Sequence, residues 1–174
     1  MRAWLSRLVS SPRQLNPLYE RVVTEARMPH WYVEGQVPDT IDGRFAVLAT
    51  LLALASVRLE RGGEAAQRAA IDLTEQFIAD MDAEIRQLGI GDPTIGKQVG
   101  GMVGALGGRI GAWRRALSDE EDWEEVTIRG LYRGRAPSQA AVTHSMASDD
   151  FRTIADLPGF SCVSEGMIAG LHNY

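Results

Sequence analysis

The stretch GIGDPTIGKQVGG, residues 89–101, decides how the chain folds. From Gly91 to Lys97 it satisfies the G-x-x-x-x-G-K of a phosphate-binding loop, but Gln98 stands where that motif needs Ser or Thr. Such a loop works between a buried strand and a helix. Backbone N–H groups then cradle phosphates, the lysine reaches the outer ones, and the hydroxyl holds Mg²⁺. Here the preceding segment places Leu73, Phe77, Met81, Ile85 and Leu88 at helical spacing, and no apolar strand ending in Asp follows. The context argues against a nucleotide. The stretch reads instead as a helix stop at Gly89 and a turn, then a new helix opened by Asp92-Pro93.

Working outward, helical signals continue in both directions. Asn16-Pro17 pairs an N-cap residue with proline at the first helical position and predicts a helix through about Arg27, closed by Met28-Pro29. HWYVEGQVPDT (residues 30–40) is an irregular, aromatic-rich connection. Asp39 is the expected N-cap of the next helix, with Asp42 three residues on. Ile41, Phe45, Leu48, Leu52, Ala55 and Leu59 recur at helical spacing, and Leu51 and Leu54 widen that face almost all round. This marks a central, buried helix, stopped by Arg61-Gly62-Gly63. A helix over 64–88 follows, then the one from Asp92, whose apolar positions run from Ile95 to Leu117. Ser118-Asp119-Glu120-Glu121 reads as a capping box opening a helix through about Tyr132. A weaker helix follows Pro137, and DDFRTIADL (residues 149–157) reads as one more short one. The expectation is an all-α fold of about six to seven helices, with an arm over 1–15 and one helical domain over 16–174.

Composition narrows the class. The chain has 174 residues, 45% apolar and 24% charged, which suits one globular domain. Cys162 is the only cysteine, so neither an internal disulfide nor a cysteine zinc site can form. The longest uncharged run, residues 45–57, is too short to span a bilayer. The arm MRAWLSRLVSSP carries Arg7 where a secretory signal needs an apolar core. It reads as a frayed terminus or a short amphipathic helix on a membrane surface. A cytoplasmic location is therefore expected, with peripheral membrane contact open. Net charge is −5, and it is uneven: residues 118–174 hold four basic and ten acidic residues. Without a broad basic stripe, nucleic acid is not the expected main partner.

Glycine is the anomaly. Gly96, Gly100, Gly104 and Gly108 lie four apart inside one helix, with Gly101, Gly107 and Gly111 beside them. Each costs roughly 1 kcal/mol against alanine in a helix interior. A four-residue spacing aligns them on one ridge, where another helix backbone can approach closely. That helix is either a neighbour in the same domain or part of another protein.

No site for chemistry emerges. His30, His144 and His172 sit apart in sequence, and none follows a carboxylate by three residues, so the helical di-iron pattern is missing. No G-x-S-x-G or H-E-x-x-H occurs. DEEDWEE, residues 119–125, is explained by helix-start electrostatics, with an acidic face for a basic partner as its remaining interest. No catalytic residue, metal ligand or cofactor is assigned, and an enzyme is not expected. The competing class is a small-molecule or nucleotide binder with a pocket between the His30 loop and the Lys97 turn. A structural subunit of a larger assembly is a third.

Three stretches together resemble the ubiquinol–cytochrome c chaperone family in its bacterial form: VPDTIDGRFAVLATLLALASVRL (37–59), FIADMDAEIRQLGIGDPTIGKQV (77–99) and LGGRIGAWRRAL (106–117). The resemblance spans about 18–135 and is carried by P-D-T-x-D-G-R-F, D-M-D, L-G-x-G-D and G-R. Its motif positions are Pro38, Asp39, Asp42, Gly43, Arg44, Phe45, Asp80, Asp82, Gly89, Asp92 and Arg109. The resemblance implies a helical, non-enzymatic assembly factor for ubiquinol–cytochrome c reductase that acts on newly made cytochrome b or other subunits of the bc complex. It also implies a small co-chaperone or the ribosome as further partners. The resulting expectation is a client surface formed by Trp31, Tyr32 and Val37 with Gly100, Gly104, Gly107, Gly108 and Gly111. For Asp39, Asp42, Arg44 and Phe45 the simpler expectation is structural: a cap, a salt bridge and a core aromatic.

Overall fold

A computed structural model describes residues 16–87, 92–135 and 137–147. Among these, all regular structure is helical: α1 (Pro17–Ala26), α2 (Ile41–Glu60), α3 (Glu64–Gln87), α4 (Asp92–Ala116), α5 (Trp123–Tyr132) and α6 (Gln139–Ala147), with a 3-10 turn at Pro29–Trp31. The expected arm over 1–15, the short helix over 149–157, Cys162 and Gly89 lie outside the described residues.

The bundle is organised around α2. Thirteen of its 20 residues are buried, many of them Ala, Ser or Thr, so helices can approach it from several sides. α1, α3, α4 and α5 all pack on it, α4 also meets α3 and α5, and α6 packs on α5. Trp31, Trp113, Tyr19 and Phe77 are the largest side chains fully enclosed by this arrangement. At Gly130 the α5 backbone comes close enough to α2 that an added Cβ would stand 3.4 Å from Thr50 Oγ1.

Local signals act as physical chemistry requires. The Asn16 side chain accepts from the Leu18 amide at 2.9 Å, capping α1 ahead of Pro17. Two other starts differ from expectation. α2 is capped by Thr40, whose hydroxyl accepts from the Gly43 amide at 3.1 Å, while Asp39 is drawn off to Arg44 at 2.6 Å. The 118–121 capping box does not form. Ser118 belongs to the end of α4, its hydroxyl donating to the Arg114 carbonyl at 3.0 Å, and Asp119 turns left-handed at φ 58° to stop that helix. α5 opens four residues later than expected, at Trp123, with Asp122 in place of Ser118 as the cap, accepting from the Glu125 amide at 2.9 Å.

The elements are pinned by side chains at their ends. Trp123 Nε1 donates to the Ala116 carbonyl at 3.0 Å, and its ring meets Trp113 edge-on at 5.3 Å. Arg114 makes a bidentate pair with Glu60, joining the last turns of α4 and α2. Tyr132 is the most connected of these pins. Its hydroxyl donates to the Gly35 carbonyl at 2.6 Å and meets Ser145 Oγ at 2.8 Å, tying α5, α6 and the loop before α2 together.

Candidate functional site

The glycine ridge of α4 faces outward. Gly96, Gly100, Gly101, Gly104, Gly107 and Gly108 are exposed, and a Cβ added at any of them meets no described atom within 4 Å. The core side of the same helix is Ile95, Leu106, Ala112, Trp113 and Ala116. Of the two ways to occupy the ridge, a described helix of the same domain is therefore not the one used. From residue 98 to 108 α4 carries no charged side chain, so the open face is backbone and small apolar atoms. At its C-terminal half the face runs into a notch of about 280 Å³ between α4 and α5, bounded by Ala105, Gly108, Ala112, Val126 and Gly130. Arg109 and Arg129 stand at this notch. Arg109 bonds the Gly130 carbonyl at 3.0 Å and lies over the Phe45 ring, its pKa lowered by burial and by Arg133.

The aromatic half of the expected client surface lies elsewhere. Trp31 and Val37 are each 1% exposed, inside the core. Trp31 Nε1 donates to both the Glu25 carbonyl and its carboxylate at 3.1 Å. Tyr32 is half-buried, donating to the Ala26 carbonyl at 2.5 Å beneath the Arg44 guanidinium. Burial raises its pKa. Three of the four exposed large apolar side chains among the described residues nevertheless lie along this connection: Met28, Val33 and Ile41. Large rings such as those of Trp31 and Tyr32 suit an interface, but a ring with a polar tip is equally able to anchor a loop. Ile41 corrects an expectation: its spacing with Phe45 and Leu48 puts it on the apolar face of the central helix, but as the first residue of α2 it is 81% exposed.

The family-motif positions form a scaffold. A Cβ at Gly43 would overlap the Pro38 carbonyl oxygen, so the first turn of α2 is built directly on Pro38. Asp42 pairs with Arg133 at 3.0 Å, joining α2 to the end of α5. Phe45 packs beside Phe77, with ring centroids 6.2 Å apart. Asp80 accepts from the Tyr19 hydroxyl at 2.8 Å, joining α3 to α1; burial and this carboxylate push the Tyr19 pKa up. Asp82 pairs with Arg86 one turn on, and Asp92 is the first residue of α4.

Two pairings were not legible in the sequence. His30 and His144 come together, ring centroids 6.0 Å apart, with His30 Nε2 3.1 Å from Glu25. Among the described residues no cluster of three His, Cys, Asp or Glu side chains could hold a metal. The acidic run is also partly neutralised from within: Glu121 pairs with Arg115 and Arg129, each at 2.6 Å, which holds its carboxyl below the usual range. As for the phosphate-loop pattern, Gly96, Lys97 and Gln98 lie inside α4, preceded by helix α3 rather than by a strand. No helix among the described residues is long and apolar enough to cross a membrane.

Comparison with known proteins gives this arrangement a family. No curated protein matches the chain. The crystal structure of the Cbp3 homolog from Brucella abortus is similar to it, with a TM-score of 0.67 at 25% identity over 85% of this chain and 83% of that one. The family model described as ubiquinol–cytochrome c chaperone matches residues 33–166, taking in the second half of the loop before α2, the scaffold of motif residues and the whole glycine face. The chain belongs to the ubiquinol–cytochrome c chaperone family.

Proposed function

We propose that the protein is a non-enzymatic chaperone that receives newly made cytochrome b, or another subunit of the bc complex, on the open face of α4. Family membership supports the assembly role. The observation that carries the docking site is the bare glycine ridge, exposed and unmet by any described atom within 4 Å. A folded domain gains nothing from six such glycines, each roughly 1 kcal/mol worse than alanine. A partner helix that lies against the backbone recovers that cost through close packing. The client is rich in apolar helices, and an uncharged ridge ending in a notch suits one of them. Met28, Val33 and Ile41 supply a second apolar contact on the loop before α2.

The test is affinity isolation of the tagged protein from its host in mild detergent, quantified against an untagged control. Cytochrome b is expected to be enriched, at less than the stoichiometry of the mature complex. Retention of the protein in stoichiometric amount within the purified bc complex would instead make it a subunit. A preparation free of every bc subunit would remove the proposal.

A further inference from the structure

We infer that the cleft between the loop before α2 and the α5–α6 connection is a second binding site, one that takes an extended acidic peptide segment of a partner protein. The cleft holds about 480 Å³ and is lined by Gln36, Pro38, Tyr132, Arg133, Arg135 and Pro137. A shallower depression of about 160 Å³ adjoins it, sharing Pro38, Tyr132 and Arg133. Two prolines and a tyrosine ring make a rigid apolar floor, the surface on which extended peptides are held at low entropic cost. Tyr132 is buried and its hydroxyl is occupied by Gly35 and Ser145, so it closes the bottom of the cleft without offering a polar group.

Charge selects the occupant. Arg133 and Arg135 stand at the rim, and the acidic group there is Asp42, at 3.0 Å from Arg133. Arg135 has no carboxylate partner among the described residues. Arg109 lies close enough to Arg133 for their charges to repel. A guanidinium is the side chain suited to bidentate carboxylate recognition. A lipid headgroup is the weaker fit, because it would engage only the two guanidinium groups and leave the proline-lined part of the cleft unused, whereas an extended peptide uses both.

The backbone gives a separate reason to look here. Gln36 and Arg133, two of the three non-glycine residues with positive φ among those described, both line the cleft, at 52° and 53°. Each holds a left-handed conformation that glycine adopts at no steric cost and other residues at roughly 1–2 kcal/mol. Arg133 thus stands at a helix end where glycine is the commonest residue. Backbone strain of this kind clusters at functional sites.

The experiment titrates the full chain into a short fluorescein-labelled peptide of alternating glutamate and proline and follows anisotropy. Saturable binding that weakens with salt is expected. Arg135→Glu, at an exposed position, should lower the affinity about tenfold, whereas Arg68→Glu on α3 should lower it less than about twofold. Arg133→Gly, which relieves the strained φ, should keep the fold and still weaken the peptide. The inference fails if the glutamine version of the peptide binds equally well, if Arg135→Glu binds as the parent does, or if no binding is seen. Capture by phosphatidylserine vesicles that Arg135→Glu abolishes, without peptide binding, would reassign the cleft to a lipid headgroup. None of these outcomes depends on cytochrome b being the client of α4.

Discussion

Gly43 shows how one residue can carry a family motif for structural reasons alone. Its α-carbon hydrogen faces the Pro38 carbonyl where a methyl group would overlap it, while its amide is held by Thr40. Gly43→Ala is expected to cost about 3 kcal/mol, since the obstacle is backbone that cannot swing aside. A urea titration followed by circular dichroism measures it, and a loss below about 1 kcal/mol would contradict this packing. Tyr132→Phe is the complementary case: it removes a hydroxyl and leaves the Gly35 carbonyl without that donor. About 1–3 kcal/mol should be lost, with α6 amides gaining hydrogen exchange first. Equal protection of α6 in both proteins would show that the hydroxyl is not what holds it. The Tyr132 contact is not visible in the sequence, because Gly35 and Tyr132 lie 97 residues apart. What the sequence does show is that glycine follows Asp42 at the start of a helix, where a special reason must exist.

At the scale of elements, α4 separates two accounts of its glycines. If the ridge were packed inside the domain, Gly104→Ala would clash. Because it is open, alanine should stabilise. Gly100→Ala, Gly104→Ala and Gly107→Ala are each expected to add up to about 1 kcal/mol, raising Tm by about 3 °C. Calorimetry of the three single variants checks this, and a drop in Tm would place a neighbour on the ridge. Helices α1, α2, α3 and α4 were legible from apolar periodicity, from Asn16-Pro17 and Asp92-Pro93 at the starts of α1 and α4, and from Gly62-Gly63 after α2. The start of α5 was not. Ser118 and Glu121 have the right types and spacing for a capping box, but the last turn of α4 takes the serine and Arg115 and Arg129 take the glutamate. A local signal loses when tertiary partners compete for the same side chains. The loop before α2 failed in a similar way: periodicity places residues on helix faces, but it says nothing about which side of a turn points inward. Trp31 and Val37 went in, and Met28, Val33 and Ile41 stayed out.

For the whole molecule, three tyrosines set the alkaline limit. Tyr19, Tyr32 and Tyr132 are each pushed above the ordinary value near 10, chiefly by burial, and in Tyr19 also by the Asp80 carboxylate. Below that pH both folded and unfolded chains keep these protons. Above it the unfolded chain releases them first, so it binds fewer protons and stability falls as pH rises. Tm should hold level to about pH 9 and then decline, with a shallower decline in Tyr19→Phe; an unchanged Tm at pH 11 would contradict it. The described helices form a bundle with α2 at its centre and an uncharged, side-chain-poor strip along α4, which is the reason to propose the client there.

That placement is tested most directly by isolating tagged Gly104→Leu/Gly108→Leu and Gly104→Ala/Gly108→Ala variants from the host and measuring cytochrome b per molecule of bait. Both variants should fold with Tm at or above the parent, since no described atom meets a Cβ on the ridge. The leucine pair should lose cytochrome b at least about tenfold, because two isobutyl groups hold a partner backbone away from the ridge. The alanine pair should lose less. A folded leucine pair that recovers as much cytochrome b as the parent would contradict docking on the glycine face.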